Sequence, residues 1–529
     1  MRQAEALAIL QSGTSVFLTG APGAGKTYVL NEFVRQARAE GAAVSVTAST
    51  GIAATHINGQ TIHSWSGVGL ANALTDNLIK TIRTRRKRKL QGADILIIDE
   101  VSMLHAWLFD MVDQVCREVR HDPRPFGGLQ VVLSGDFFQL PPVSVSGRDR
   151  DVLPPGPDFV ASRERYAKAG LNPEGFVTES LVWGELAPVI CYLTEQHRQD
   201  DGRLLHVLTD IRAGCVNQDD RDALVTRLGV TPKPGEVAVH LFPVNRQADN
   251  LNDSRLARIG EEPHEFHAEQ MGPAHLVERL KRNMLAPECL VLKTGAAVMA
   301  LRNDADHQYV NGSLGTVRGF ANENKGGWPI VEFENGNIVT MKQATWEMMD
   351  GDTVMASVAR CRCDAHGAIT IHKSQGLTFD ACCVHTKVFA EGQLYVGLSR
   401  VRSAAGLTVF PKIEPNRLIA SREVVEFYDS LEHRMEEPVQ IECPRRYESR
   451  VRAYIRDLMD GRDPDAPTPP ALEGALENGK GGTPEPGPKG RLEPSKRRLG
   501  GYSCPCHPSP SNLQFRAPCP RTILRPRWS

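Results

Sequence analysis

Four short apolar runs punctuate the first third of the chain: Ser15-Val16-Phe17-Leu18-Thr19, Ala43-Val44-Ser45-Val46-Thr47, Ile95-Leu96-Ile97-Ile98 and Gln130-Val131-Val132-Leu133-Ser134. Each is continuous rather than alternating in polarity, the pattern of parallel strands buried on both faces. The helical stretches between them predict βαβ units and an α/β doubly wound parallel sheet over residues 1–190. Residues 144–175 interrupt this with Gly, Pro and charge, as in Gly147-Arg148-Asp149-Arg150-Asp151 and Pro154-Pro155-Gly156-Pro157, and predict a surface insertion. A second α/β section resumes at Tyr192-Leu193-Thr194 and covers 191–310 and 369–440. Between 311 and 368 the texture changes to short strands: Gly315-Thr316-Val317, then Ile330-Val331-Glu332-Phe333 and Ile338-Val339-Thr340 joined through Asn335-Gly336. Asn-Gly between such strands is a strong hairpin signal, so this segment reads as a small β-barrel inserted in the second domain. A terminal helix is expected over 441–460. The stretch 461–529, rich in Pro, Gly and charge and without periodicity, is expected to be disordered.

Composition narrows the class without naming a partner. A chain of 529 residues is too long for one core and predicts two to four domains. Its 41% apolar and 24% charged residues are ordinary for a soluble globular protein. It has no apolar run of the ~18 residues a membrane span requires. The net charge of −1 excludes a global basic bias but not a locally positive channel. The twelve cysteines lack the paired C-x₂-C spacing of a zinc site, and those in the globular part are expected to be reduced. Cys504-Pro505-Cys506-His507 has no second ligand pair close by. The first residues lead directly into a helical pattern rather than a signal segment, which points to a prokaryotic cytoplasm, with a nucleus as the alternative.

The chemistry begins at Gly20-Ala21-Pro22-Gly23-Ala24-Gly25-Lys26-Thr27, which fits G-x₄-G-K-[ST] between an apolar strand and a helix. Gly20, Gly23 and Gly25 let backbone N–H groups surround phosphates, helped by the helix N-terminus. Lys26 is then placed for the β and γ phosphates of ATP and the Thr27 hydroxyl for Mg²⁺. Asp99 and Glu100 end a buried strand; Asp99 suits Mg²⁺ and Glu100 suits a general base on water. Gly135-Asp136-Phe137-Phe138-Gln139-Leu140-Pro141-Pro142 also follows a strand. There Gln139 reads either as a γ-phosphate sensor or as part of a turn with a buried Phe pair.

Far downstream stand His372-Lys373-Ser374-Gln375-Gly376 and Tyr395-Val396-Gly397-Leu398-Ser399-Arg400. A simple nucleotide-binding domain needs nothing so distant. A two-domain translocase does, because its second domain must bring cations and strand contacts to a site that opens and closes. Arg198 and Arg400 are candidates for charge developing on the γ-phosphate, although spacing alone equally allows surface arginines. The basic run from Arg83 to Lys89 reads as a duplex contact or as a solvated helix face. Lys496-Arg497-Arg498 with Arg525 and Arg527 could add non-specific affinity for phosphates.

Taken in order, these motifs resemble the petite-integration-frequency (PIF) family of superfamily-one 5′-to-3′ DNA helicases, over about residues 3 to 411. The most specific stretch is Asp110 to Val143, with Pro125-Phe126-Gly127-Gly128-Leu129-Gln130 before Gly135-Asp136-Phe137. Thr50-Gly51-Ile52-Ala53-Ala54, Thr61-Ile62-His63-Ser64, Val310-Asn311-Gly312-Ser313-Leu314-Gly315 and Thr370-Ile371-His372-Lys373-Ser374-Gln375-Gly376 also match. The resemblance implies two RecA-like domains with an SH3-like barrel inserted in the second. It implies that Gln3 reads adenine, that Gln139 senses the γ-phosphate, and that Arg198 and Arg400 act on it. It places Thr50, Gly51, Thr61, His63, His372, Lys373 and Ser374 on the backbone or stacked bases of single-stranded DNA, contacts that position a strand without reading sequence. For His63 and His372 a satisfied structural histidine is the competing reading.

The leading expectation is an ATP-driven 5′-to-3′ helicase acting on single strands and on duplexes with a 5′ single-stranded tail. The alternatives are a translocase that displaces proteins without processive unwinding, and a strand-binding factor switched by nucleotide. A monomer is expected, with single-strand-binding or replication proteins as candidate partners and no membrane.

Overall fold

The computed structural model describes residues 1–434 other than 58, 70, 143–156, 195–201, 231–237, 284–288, 303, 305, 307, 310, 323, 325, 351–352, 366, 415–417 and 419–420, together with 440–441 and 514–515. The predicted helix over 441–460, apart from Ile441, which is in the short strand Gln440–Ile441, lies outside the described residues, as does the tail from 461 apart from 514–515.

The first domain is a six-stranded parallel sheet built from β1 (Val16–Gly20), β2 (Val44–Ala48), β3 (Gln60–Thr61), β4 (Ile95–Asp99), β5 (Gln130–Ser134) and β6 (Val189–Leu193), in the order β3-β2-β4-β5-β1-β6. Register places Val46 beside Ile97 and Ile97 beside Val132. Successive residues of each strand face opposite ways, and both faces are covered. Val16, Leu18, Ile95, Ile97 and Val132 pack with Leu10, Leu30 and Phe33 from α1 (Gln3–Gln11) and α2 (Lys26–Ala39). Phe17, Leu96, Ile98, Val131 and Leu133 pack with Phe109, Val112 and Val115 from the helix Ala106–Arg120. This two-sided burial is why the runs are continuously apolar.

β6 corrects one boundary. The second domain is expected to begin at 191, yet the whole of Val189–Leu193 pairs in parallel with β1, Val16 beside Val189 through Gly20 beside Leu193. A short apolar run carries no sign of which sheet will accept it. The segment read as an insertion is also partly integral: Pro157–Ala169 is a helix whose buried Tyr166 donates to Asp110, while 143–156 lies outside the described residues.

The second domain carries a four-stranded parallel sheet, Ala368–Thr370 / Val239–Phe242 / Cys382–His385 / Leu407–Phe410. Between its strands lies an antiparallel sheet in which Ile338–Thr340, Pro329–Phe333, Leu314–Phe320, Ala297–Ala300 and Cys363–Ala365 are neighbours in that order. The Asn335-Gly336 hairpin forms, with Val331 beside Val339, and Gly336 takes a φ of 85°. The antiparallel unit begins before residue 311, because Ala297–Ala300 pairs with both Leu314–Phe320 and Cys363–Ala365. The cysteines of the described residues are all free thiols, as expected.

The turn around Phe126 shows why the Pro125–Gly128 signature is specific. Phe126, Gly127 and Gly128 hold φ values of 51°, 61° and 73°. Phe126 is fully buried against Phe109, ring centroids 4.8 Å apart, and its N–H donates to the Asp113 carboxylate at 2.6 Å. A Cβ on Gly127 would stand 2.7 Å from the Cys116 carbonyl oxygen. Gly127→Ala is therefore expected to destabilise the first domain by about 1–3 kcal/mol. Gly260→Ala, at a position with open space around it, should change stability by less than about 0.5 kcal/mol. Urea unfolding followed by tryptophan fluorescence checks the pair.

Candidate active site

Parallel strands end on one side, and that edge of an α/β sheet is where ligands bind. The first sheet places its motifs there side by side: the phosphate loop after β1, Thr50-Gly51 after β2, Thr61 at the end of β3, Asp99-Glu100 at the end of β4 and Asp136 to Gln139 after β5.

The loop's conformation depends on its glycines. Gly20, Gly23 and Gly25 have φ values of 150°, 90° and 84°, and a Cβ on Gly20 would meet the Leu193 carbonyl oxygen at 2.8 Å. Such a cradle leaves backbone N–H groups for an anion. Lys26 Nζ donates to the carbonyls of Gly20 at 2.7 Å and Ala21 at 3.2 Å. Burial pushes its amine pKa down, while Asp136 and Glu100 oppose the shift. Thr27 is exposed on the first turn of α2. Gln3 donates its side-chain amide to the Ala24 carbonyl at 3.1 Å, so α1 is tied to the loop.

Asp99 accepts the Glu100 N–H at 2.9 Å, and Glu100 sits in the left-handed region with a φ of 50°. Burial raises both carboxyl pKa values, Glu100 to about 7, with Asp99 adding to its shift and Lys26 and Arg400 opposing it. Carboxylates and a hydroxyl are hard oxygen donors, the chemistry Mg²⁺ selects, so Asp99 and Thr27 fit that ion.

Thr50 and Thr61 are helix caps. Thr50 Oγ1 accepts from Ala53 N at 3.2 Å and Thr61 Oγ1 from Ser64 N at 3.3 Å. Each hydroxyl keeps its own O–H to donate. Gly51 is exposed and His63 half-buried on the same edge. The basic run after Arg83 lies on two helices with its charges exposed except for Arg86, and Lys89 donates to Gln60 beside Thr61.

The second domain meets this edge directly. Gln375 Nε2 lies 3.2 Å from Glu100 Oε2 and 3.4 Å from Gln139 Oε1. Gln375 belongs to the His372–Gly376 run, yet sequence reasoning gave it no role. Its neighbours His372 and Lys373 are half-buried and Ser374 is buried, donating to the Ile371 carbonyl at 2.8 Å. Burial lowers the His372 pKa. Arg400 is fully buried. Its guanidinium donates to the carbonyls of Val396 at 2.9 Å, Leu377 at 3.3 Å and Ser374 at 3.4 Å, and to the Ser399 hydroxyl at 2.8 Å. Arg198 lies outside the described residues.

A second group went unforeseen. Arg212 pairs with Asp136 at 2.6 Å and donates to the Tyr395 hydroxyl at 3.0 Å. The Tyr428 hydroxyl lies 2.6 Å from Thr19 Oγ1 of β1. Neither Arg212 nor Tyr428 has a local sequence signal; only folding brings them beside the cleft.

A family model described as PIF1-like helicase matches residues 2–154, and one described as the 2B domain of DNA helicase Pif1 matches 275–320. The ATP-dependent DNA helicase Pif1 of Psychrobacter sp. is 35% identical over 475 residues, covering 77% of this chain and 67% of that protein. That of Bdellovibrio bacteriovorus is 32% identical, covering 81% of this chain and 91% of its own. The human relative is 33% identical, and the chain spans 63% of its length. Among solved structures, Pif1 helicase from Candida albicans has a TM-score of 0.69 at 32% identity, covering 81% of this chain and 98% of its own. Bacteroides Pif1 bound to ssDNA has a TM-score of 0.60 at 28% identity, covering 82% and 97%. With the phosphate loop, the acidic strand end and the second-domain edge in one cleft, these likenesses show that the chain belongs to the Pif1-like helicase family.

Proposed function

We propose that this protein is an ATP-dependent DNA helicase that binds single-stranded DNA and moves along it in the 5′-to-3′ direction. The observation that carries this reading is the contact of Gln375 with both Glu100 and Gln139. It joins the water-activating carboxylate and the candidate sensor to the run His372-Lys373-Ser374 proposed to hold the strand. Relatives named ATP-dependent DNA helicases, and a neighbour solved with ssDNA, support the same reading.

In this mechanism the loop N–H groups and Lys26 hold the β and γ phosphates of ATP, and Gln3 reaches its base from α1. Thr27 and Asp99 would hold Mg²⁺, which would supply neutralisation of phosphate charge. Glu100 takes the proton from the attacking water; the Arg400 charge favours its ionised form. Gln139 orients toward the γ-phosphate, and Arg198 and Arg400 stabilise the charge that develops there. Thr50, Gly51, Thr61 and His63 hold the strand from the first domain, with His372, Lys373 and Ser374 holding it from the second. Alternating grip between the two sets during turnover gives movement.

Three outcomes follow. Lys26→Ala should lower ATP turnover about a hundredfold or more while single-strand affinity persists; wild-type turnover would remove the phosphate-loop assignment. Gln375→Ala should lower strand-stimulated turnover by about 10- to 100-fold through lost positioning, measured by steady-state phosphate release. Finally, matched duplexes with a 5′ or 3′ tail should show ATP-dependent unwinding of the 5′-tailed one alone. Preference for the 3′ tail overturns the polarity, and stimulated turnover without unwinding indicates a protein-displacing translocase instead.

A further inference from the structure

We propose that Asp136, Arg212 and Tyr395 form a fixed joint about which the two domains move, and through which strand binding on the second domain reaches Gln139. This goes beyond the assignments above and rests on the proposed ATP-driven function.

Asp136 has no solvent exposure and follows β5. It shapes the turn that presents Gln139: its Oδ1 accepts the Phe138 N–H at 3.2 Å and its carbonyl the Gln139 N–H at 2.9 Å. Its other oxygen is taken by the second domain. Oδ2 accepts from Arg212 Nη1 at 2.6 Å and from the Tyr395 hydroxyl at 3.2 Å. Tyr395 in turn accepts from Arg212 at 3.0 Å, closing a triangle. Aromatic rings surround it, the Arg212 guanidinium lying 4.5 Å from the Phe138 ring centroid, 5.5 Å from that of Tyr428 and 5.8 Å from that of Tyr192.

Each partner of Asp136 leads to a candidate cation of the nucleotide site. Arg212 ends the helix Gly202–Arg212, which follows the segment containing Arg198. Tyr395 lies on the helix Gln393–Leu398, just before Arg400. That helix belongs to the second sheet: Gln393 donates to the Pro243 carbonyl at 3.3 Å, and a Cβ on Gly397 would meet Val384 at 2.9 Å. Where the helix begins, the two backbones touch. A Cβ on Gly392 would stand 2.4 Å from the Gln139 carbonyl oxygen and 2.7 Å from that of Phe138.

Parting this pair while Phe138, Tyr192 and Tyr428 still cover it would leave a buried arginine and carboxylate uncompensated, which is strongly unfavourable. The joint therefore stays closed while the cleft beside it opens and shuts. Rotation of the helix Gln393–Leu398 then bears on the same turn that aims Gln139. Arg212 and Tyr395 are positioning residues; neither needs to touch nucleotide or strand.

The test uses the full chain carrying Tyr395→Phe or Arg212→Lys. Thermal unfolding, basal and strand-stimulated ATP turnover, and single-strand affinity with and without a non-hydrolysable ATP analogue are measured. Basal turnover and KM for ATP should stay near wild type. Stimulated kcat, and the shift in strand affinity caused by the analogue, should each fall about tenfold, within the usual range of coupling between sites. A merely structural role would instead lower the unfolding temperature and leave both ratios intact, which overturns the proposal. If Arg212→Lys does not fold, Tyr395→Phe decides, since it removes a single hydroxyl. Absence of ATP turnover in the wild type sinks the functional reading rather than the joint.

Discussion

A charge taken out of water must be met by an opposite charge and by hydrogen bonds, and Asp136 is where this constraint organises the protein. The residue is carried into the interior by β5, whose apolar residues have no alternative to burial. Once there, its carboxylate cannot remain alone, and the first domain offers it one backbone N–H in the adjoining turn. Arg212 and Tyr395 complete it from the second domain. The relative placement of two sheets, whose buried faces join in one continuous apolar cluster, is thereby pinned at a desolvated ion pair. The same placement brings Gln375 within reach of Glu100.

The neighbouring carboxylates face the same constraint with a different result. Asp99 and Glu100 stand at the end of β4 and are in no arginine salt bridge among the described residues, and burial raises both pKa values. Lys26 is close enough to oppose those shifts, yet its hydrogen bonds go to the Gly20 and Ala21 carbonyls. Negative and positive groups are thus held near one another without being fully consumed in a salt bridge. A site built to accept a polyanion with its cation needs this reserve; a purely structural cluster would have closed on itself, as Asp136 and Arg212 have.

What could be read from the sequence follows from how local each feature is. The continuous strands, the phosphate loop, the acidic strand end and the Asn335-Gly336 hairpin are each fixed by a few consecutive residues, and all stand where expected. The ownership of Val189–Leu193 and Ala297–Ala300 was not legible, because pairing depends on a partner strand remote in the chain. Arg212 and Tyr428 were invisible for a related reason: an arginine or tyrosine at a helix end looks alike whether it meets solvent or a buried carboxylate. Gln375 carries no signal of its own within its motif. Nothing in His372–Gly376 says which of its side chains turns toward the other domain.

Partner strength decides what can move. Lys26 and Arg400 are cations satisfied by neutral oxygens, carbonyls in the first case and carbonyls with a hydroxyl in the second. Arg212 is satisfied by a carboxylate, a charge-assisted bond roughly twice as strong as a neutral one. Under the proposed function, an arriving phosphate outcompetes carbonyls for Lys26 and Arg400, so these side chains can reorganise with the nucleotide. It does not outcompete a buried carboxylate for Arg212 unless that carboxylate is left unpaired. The exchangeable contacts therefore line the cleft and the permanent one lies beside it, an arrangement in which binding energy goes into closing the cleft rather than into dissolving the interface.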